Sequence, residues 1–286
     1  MLRLSVAPLI TGYDRSVTVP ADRGPGAPEG GGCGARGLWP GGPADGSVQP
    51  MGDPVRLEHH DTVALITIDD GKANALSAEV IAAVMAALDE AEARGAATKA
   101  VVIAGRSGVL SGGFDLKVMR GDDRLARSEL VTSGGELVLR LFASGQPVVC
   151  ACTGHAIAAG ALVALGSHLR IAAGGDFRIG LIETAIGLVL PDWAVVMADE
   201  RIDRSQVFRA VVEARVYDPA AASRAGFVDR VVPPDRVVEV ALEEAARLGA
   251  LDAVAYAGNA AKLWASGRAR LTAAVAQDRD ALRSGR

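Results

Sequence analysis

The chain has 286 residues, with 30 Lys and Arg against 34 Asp and Glu, so its formal net charge is −4 at pH 7. Half of the residues are hydrophobic and 34 are glycine, which excludes a chain disordered throughout and a disulfide scaffold. The scattered basic residues leave no electrostatic footprint for nucleic acid, and no run approaches the roughly 20 apolar residues of a membrane span, so neither is predicted as a partner.

The first fifty residues differ in composition from the remainder. About half of the residues from 20 to 54 are Gly or Pro, and such a segment cannot bury enough apolar surface to offset the cost of ordering. The sequence therefore predicts a disordered Gly/Pro-rich extension over 1–50 and one domain over 51–286. Within this domain we expect a core of about 55–200 and a helical C-terminal part of about 201–286.

Strand and helix patterns alternate through most of the predicted domain. Short β-branched or apolar runs predict strands at 63–69, 100–104, 147–151 and 169–173. Helices are predicted from the N-cap candidate Ser77, at about 123–143 and at 158–165, and after Pro191 the pattern is helical to the C-terminus except at 227–232. This order predicts an α/β fold, but it does not separate a doubly wound sheet from other βα arrangements.

The three cysteines do not form a disulfide framework in a chain of this length, which fits a reducing, cytoplasmic setting. Cys150 and Cys152 are two residues apart in a strand-like run, so both side chains point to one face. No His or Cys follows at metal-ligand spacing, and we therefore predict buried structural thiols and no metal or redox cofactor.

Two segments rich in small residues follow apolar strands, at 105–115 and 153–160. Neither contains the glycine spacing of a dinucleotide fingerprint or of a phosphate loop. Small residues let backbone amides approach a ligand, and a helix beginning near Ala159 would present free N–H groups. The two segments could together supply two donors to one oxygen, or could serve only turn formation and close packing.

Four ordered blocks resemble the enoyl-CoA hydratase/isomerase (crotonase) superfamily. They are Lys72–Leu76, Ser111–Leu116, Gln146–Val148 followed by Gly154–Gly160, and Ile179–Leu188. The resemblance implies a crotonase-type spiral of ββα units with a C-terminal helical region, assembled as a homotrimer or hexamer. It also implies an acyl-CoA thioester substrate, with coenzyme A arriving as part of that substrate and no separate cofactor.

The resemblance also implies roles for individual residues. The amides of Gly112 and Ala159 would hold the thioester oxygen and stabilise an enolate-like charge. Residues implied in binding substrate or coenzyme A are Lys72, Ala73, Ala75, Leu76, Gly113, Phe114, Asp115, Lys117 and Gly160. Asp115 is expected to hydrogen-bond its own turn, whereas the two lysines could contact phosphates or remain solvated.

The number of carboxylates favours one reaction within this family. Hydratases of the family use two glutamates; the first position is Leu162 here, and the second is Glu183. A single base beside an enolate suffices to move a double bond from the 3 to the 2 position, and apolar neighbours would raise the pKa of Glu183. We therefore predict an enoyl-CoA isomerase. The alternatives are a hydratase with Asp192 or an unrecognised group as second acid, and a non-catalytic acyl-CoA-binding protein.

Overall fold

The computed structural model describes residues 53–283, and the extension predicted over 1–50 lies outside this range. Its strands are β1 (Val55–His60), β2 (Val63–Ile68), β3 (Ala100–Gly105), β4 (Gly108–Ser111), β5 (Val148–Cys152), β6 (Gly154–Ile157), β7 (Leu169–Ala173), β8 (Ile179–Gly180), β9 (Val216–Tyr217) and β10 (Arg230–Val232). Its α-helices are α1 (Ala78–Ala93), α2 (Leu116–Arg120), α3 (Arg124–Phe142), α4 (Ala159–Gly166), α5 (Asp192–Arg201), α6 (Val207–Val211), α7 (Pro219–Ala225), α8 (Val237–Gly249), α9 (Ala253–Leu263) and α10 (Ala265–Arg283).

The larger sheet has six strands in the order β1-β2-β3-β5-β7-β10, and all neighbours are parallel except β1 and β2. The four strands predicted from apolar runs are confirmed as β2, β3, β5 and β7, and β3 and β5 are buried along their whole length. Strand β1 was missed. Only Val55 of its six residues is buried, because this edge strand faces solvent, and its sequence therefore lacks an apolar pattern.

The smaller sheet has four strands in the order β4-β6-β8-β9, and β4 and β6 lie in the two segments where the sequence indicated glycine-rich turns. These strands have only two to four residues, too few for a periodic pattern. A Cβ atom on Gly154 would overlap the backbone of Gly108 in the neighbouring strand, so the close pairing of β4 and β6 requires glycine there. The glycine content that suggested turns thus also permits strand pairing.

Helix α1 begins as predicted, because the Ser77 hydroxyl oxygen accepts a hydrogen bond from the Val80 amide at 3.2 Å. Helix α4 is buried at every position, as expected of a helix that is apolar all round.

Helix α10, the last helix of the chain that the structure describes, packs against α3 and α5. Its Arg279 pairs with Glu136 of α3, with 2.6 Å between the nitrogen and oxygen atoms. The C-terminal helical region is confirmed, interrupted by β9 as well as by β10.

Cys150 and Cys152 lie in β5 as fully buried free thiols, in agreement with their predicted structural role. The Cys152 thiol donates a hydrogen bond to the carbonyl oxygen of Gly154 at 3.3 Å. Burial raises the pKa of Cys152 to about 12, so this thiol stays protonated at neutral pH. Between residues 53 and 283, no helix combines the length and the apolar character needed to cross a bilayer.

Candidate active site

The two glycine-rich segments meet because β4 and β6 are parallel neighbours, with Ser111 paired to Ala156. The turns that follow these strands therefore leave the sheet at the same edge. A Cβ atom built on Gly113 would lie 2.9 Å from the Cβ atom of Ala158 and 3.4 Å from the amide nitrogen of Ala159. Gly113 also has a φ of +98°, so both its conformation and its surroundings require glycine.

The turn before α4 has an unusual backbone conformation. Ala158 has a φ of +54° and a ψ of −125°, a region that residues with a Cβ atom rarely adopt. Ala159 follows as the first residue of α4, so its N–H has no intrahelical acceptor. The strained turn thus places an available main-chain donor next to the first glycine-rich turn.

The amide of Gly112 has a different environment from the one implied by the resemblance. Its N–H donates to the carbonyl oxygen of Ala73 at 2.8 Å. The same segment also binds the turn through Leu76, whose amide donates to the carbonyl oxygen of Gly113 at 2.8 Å and whose carbonyl accepts from Asp115. The structure therefore brings the first two motif blocks together, but the Gly112 donor is already paired.

The segment from Lys72 to Leu76 is held by polar groups that the sequence analysis did not single out. Asn74 is fully buried with a φ of +50°, and its side-chain amide donates to the carbonyl oxygen of Ile68 at 2.7 Å. The guanidinium of Arg106 donates to the carbonyl oxygen of Lys72, at 2.8 Å from its Nε atom. Asn is among the residues enriched at positive φ, which could have indicated its role, whereas nothing in the sequence indicated Arg106.

Asp115 hydrogen-bonds its own turn, as expected, because a carboxylate oxygen accepts from the Lys117 amide at 2.8 Å and caps α2. The side chains of Lys72 and Lys117 are exposed, a placement that suits either phosphate contact or solvation.

Gly160 packs closely on Ser111, since a Cβ atom on Gly160 would overlap the carbonyl group of Ser111. Ala73 and Ala75 are half-buried beside the first turn.

A cavity of about 280 Å³ is lined by Phe114 of the first turn and by Leu162 of α4, the helix that follows the second turn. Its apolar walls include Phe114, Met119, Val131, Leu162, Leu190 and Trp193. Phe114 follows Gly112 by two residues, and Leu162 follows Ala159 by three. Leu162, from α4, is 1% exposed. Glu183, from the segment after β8, lines the same cavity.

Glu183 has the environment expected of a proton carrier. Burial raises the pKa of its carboxyl group to about 7, and two nearby backbone hydrogen bonds offset only part of this effect. The Oε2 atom is buried and has no hydrogen-bond partner within residues 53–283. Such a group can both accept and return a proton near neutral pH.

Asp192, considered as a second acid, is exposed in the first turn of α5 and is not among the residues that line the cavity. A different carboxylate, Asp278 of α10, lines it instead. Burial and the charge of Asp192 both raise the pKa of Asp278. The sequence analysis also missed Arg127 of α3, which contributes to the same wall. Both residues occur in charged helical stretches typical of solvent-exposed faces, so no local signal marked them.

Comparison with known proteins places these features in a family. The family model for enoyl-CoA hydratase/isomerase matches residues 58–284. The mitochondrial enoyl-CoA delta isomerase 1 of Homo sapiens is 32% identical over 186 residues, which make up 65% of this chain and 62% of that protein. A probable enoyl-CoA hydratase of Mycobacterium avium is 30% identical over 203 residues, 70% of this chain and 76% of that protein.

The fold is shared with solved members of the family. A Mycobacterium tuberculosis protein, described as an enoyl-CoA isomerase in one solved structure and as a probable enoyl-CoA hydratase in another, superposes in the first with a TM-score of 0.76 at 34% identity, covering 82% of this chain and 99% of that chain. This similarity confirms the predicted crotonase fold, and the isomerase relatives confirm the predicted closeness to that branch. From residue 58 onward, the chain belongs to the enoyl-CoA hydratase/isomerase family.

Proposed function

We propose that this chain is a Δ3,Δ2-enoyl-CoA isomerase that uses Glu183 as its acid and base. The observation that supports this proposal best is the pairing of a desolvated Glu183 with an apolar Leu162 in one cavity. Leu162 can neither hold a water molecule nor transfer a proton. The site therefore favours a reaction that needs proton transfer without addition of water.

In the proposed reaction, the Glu183 carboxylate removes a proton from C2 of a 3-enoyl-CoA. The electron pair of the broken C–H bond moves toward the thioester carbonyl and gives a dienolate with the negative charge on oxygen. Protonated Glu183 then returns the proton to C4, a C4–H bond forms, and the double bond lies between C2 and C3. No atoms are gained or lost, so one side chain can complete the cycle.

The dienolate oxygen needs donors, and the Ala159 amide, which has no acceptor within α4, would supply one. We infer that the Gly112 amide supplies the second by exchanging its bond to the Ala73 carbonyl for one to the thioester oxygen. Each such donor stabilises a developing oxyanion by about 3 kcal/mol. The exchange would couple thioester binding to a movement of the segment from Lys72 to Leu76.

The substrate's coenzyme A part is assigned to the residues that resemble the family's binding blocks. The segment from Lys72 to Leu76 would contact the nucleotide end, and the exposed Lys72 and Lys117 would meet phosphates. A cytoplasmic location and assembly as a homotrimer or hexamer stay predictions. Light scattering of the purified protein would test the assembly, and fractionation of cells that produce it would test the location.

Enoyl-CoA hydratase is the second candidate. Asp278 supports it, because this acidic residue lines the cavity that Glu183 also lines. A non-catalytic acyl-CoA-binding role is less well supported, because a binder gains nothing from a desolvated carboxyl group in its pocket.

Kinetics with two substrates separate these candidates. Full-length protein receives either a 3-enoyl-CoA or a 2-enoyl-CoA, and Glu183→Gln serves as the matched variant. We expect rapid formation of the conjugated thioester from the first substrate, little hydration of the second, and a loss of about 10³-fold in kcat on substitution. Comparable hydration by the wild type would favour the hydratase. Tight binding of both substrates without turnover would favour the binding protein.

A further inference from the structure

Two consecutive glycines lie in the middle of α3, next to the residues of this helix that line the cavity. Val131 lines the cavity, and Gly134 and Gly135 follow it by three and four residues, which places them on the same side of the helix. Both glycines are buried. Glycine is unfavourable in a helix interior, so two in succession within a helix of 19 residues require a local reason.

The first glycine makes room for the aromatic ring of Phe114. A Cβ atom built on Gly134 would lie 2.5 Å from the Cε1 atom of that ring, so the ring lies directly against the main chain of α3. Phe114 is half-buried and lines the cavity. A methyl group at position 134 would therefore displace a side chain that forms part of the cavity wall.

The direction of this displacement follows from what is fixed around the ring. The main chain on both sides of Phe114 is held by Leu76, whose amide donates to the carbonyl oxygen of Gly113 at 2.8 Å and whose carbonyl accepts from the Asp115 amide at 3.2 Å. Helix α3 is held by its other buried residues, which belong to the core. Only the side chain of Phe114 can yield, and the free space that it borders is the cavity.

The second glycine has a different surrounding. A Cβ atom on Gly135 would lie 2.9 Å from the Cδ1 and Nε1 atoms of Trp193. Although Trp193 belongs to the cavity wall, no surface of this residue is exposed, so its indole has no free space into which to move. Gly135 is thus required for the packing of α3 on α5, whereas Gly134 controls a ring beside open space.

We propose that Gly134 determines substrate specificity, because it keeps the cavity open to an acyl chain of medium length. The cavity has a volume of about 280 Å³. An apolar cavity of about 150 Å³ holds the six carbons of benzene, so the present volume corresponds to an acyl chain of about ten carbons. That the occupant is an acyl-CoA rests on the proposed function, but the preference for chain length can be measured without any reaction.

Binding of saturated acyl-CoA thioesters tests the proposal, because these compounds cannot be isomerised. Butanoyl-, hexanoyl-, octanoyl- and decanoyl-CoA are titrated by calorimetry into full-length protein. Each methylene group that enters the cavity adds to the affinity, so we expect decanoyl-CoA to bind at least about tenfold more tightly than butanoyl-CoA. An affinity that does not depend on chain length would overturn the proposal.

The variant Gly134→Ala assigns the preference to this residue. The displaced ring of Phe114 should weaken the binding of decanoyl-CoA about tenfold and leave that of butanoyl-CoA nearly unchanged. Gly258→Ala is the matched control, because Gly258 is exposed in α9 and a Cβ atom there meets nothing within 4 Å. This control should keep the wild-type dependence on chain length. The same dependence in folded Gly134→Ala contradicts the assignment.

A double variant tests whether the ring transmits the effect, and it also serves if Gly134→Ala alone fails to fold. Adding Phe114→Leu to Gly134→Ala removes the ring that the new methyl group would meet. The double variant should therefore fold and prefer decanoyl-CoA over butanoyl-CoA, as the wild type does. A folded double variant without this preference would contradict the role of the ring.

Kinetics with 3-enoyl-CoA substrates of the same lengths separate the two proposals. If no double bond migrates at any length but the binding preference depends on Gly134, the isomerase proposal fails and the specificity assignment stands. If the wild type and Gly134→Ala isomerise every length with equal kcat/KM, the isomerase proposal stands and the specificity assignment fails.

Discussion

Leu162 and Glu183 line the same cavity from two different elements, Leu162 from α4 and Glu183 from the segment after β8. An apolar side chain thus occupies the position at which the family's hydratases are expected to carry a second carboxylate. The consequence is electrostatic as well as chemical. An apolar wall adds to the desolvation that raises the pKa of Glu183 to about 7.

The first prediction concerns the pH dependence of turnover. The base must be ionised to remove a proton, so kcat/KM for a 3-enoyl-CoA should rise with pH and level off above a midpoint of about 7. Initial rates between about pH 5.5 and 9 would show this profile. A rate that stays constant down to the lower limit would mean that Glu183 ionises normally or is not the base.

The second prediction concerns the effect of Glu183 on stability. Its pKa is about 7 in the folded chain against an unperturbed 4.5, so the folded state holds this proton more tightly than the unfolded state. The carboxyl group therefore lowers stability as pH rises from about 4.5 to 7. Glu183→Gln should raise the free energy of unfolding relative to wild type by up to about 3 kcal/mol above pH 8, and by much less near pH 4.5.

Urea unfolding of both proteins at the two pH values measures this difference. If Glu183→Gln raises the free energy of unfolding equally at both pH values, the increase comes from packing of the amide and not from the loss of an ionisable group. The expected result would show a group that is retained for turnover at a cost in stability.

The third prediction converts the apolar wall into a second acid. Leu162→Glu should produce hydration of 2-enoyl-CoA at least tenfold above the wild-type level and should slow isomerisation, because a carboxyl group can then hold the attacking water. Leu162→Met is the control for altered packing, and it should leave both activities near wild type. If the glutamate variant folds and isomerises but adds no water, Leu162 does not determine the choice of reaction.

The fourth prediction concerns the backbone turn before α4. Ala158→Gly should stabilise the protein by about 1 kcal/mol, because glycine adopts a φ of +54° without the strain that Ala158 has. Turnover should change little, since the Ala159 amide keeps its position. Ala161→Gly, at the buried third position of the same helix, should lower stability by about 1 kcal/mol. Thermal unfolding of both variants tests this difference. Equal losses of stability in Ala158→Gly and Ala161→Gly would contradict the prediction.

The larger sheet could be predicted because its central strands are buried on both faces and consist of apolar residues. The smaller sheet could not, since its strands are very short and rich in glycine, and pairing in such strands depends on the neighbouring chain. The edge strand β1 could not be predicted either, because most of its side chains face solvent and its sequence shows no run of apolar residues.

Among the site residues, Asp115 could be predicted because an aspartate before a helix caps it through local geometry. The environment of the Gly112 amide could not, since its partner Ala73 lies almost forty residues earlier in the chain. The cavity position of Asp278 depends on α10 packing against α3 and α5, and the sequence around it has the composition of a solvated helix. Long-range packing is the information that the local pattern lacks.

The proposed oxyanion donors are peptide N–H groups, which every amino acid except proline possesses, and the pairing of Ser111 with Ala156 aligns the strands that carry them. Substituting side chains near these two amides can therefore change the reaction, while the amides still stabilise the negative charge on the thioester oxygen. Adding or deleting one residue in β4 or β6 would shift the Gly112 amide relative to the Ala159 amide. Such a change should abolish both isomerisation and hydration. Evolution of this chain toward new chemistry is thus expected to proceed by replacement and not by changes in loop or strand length at these two turns.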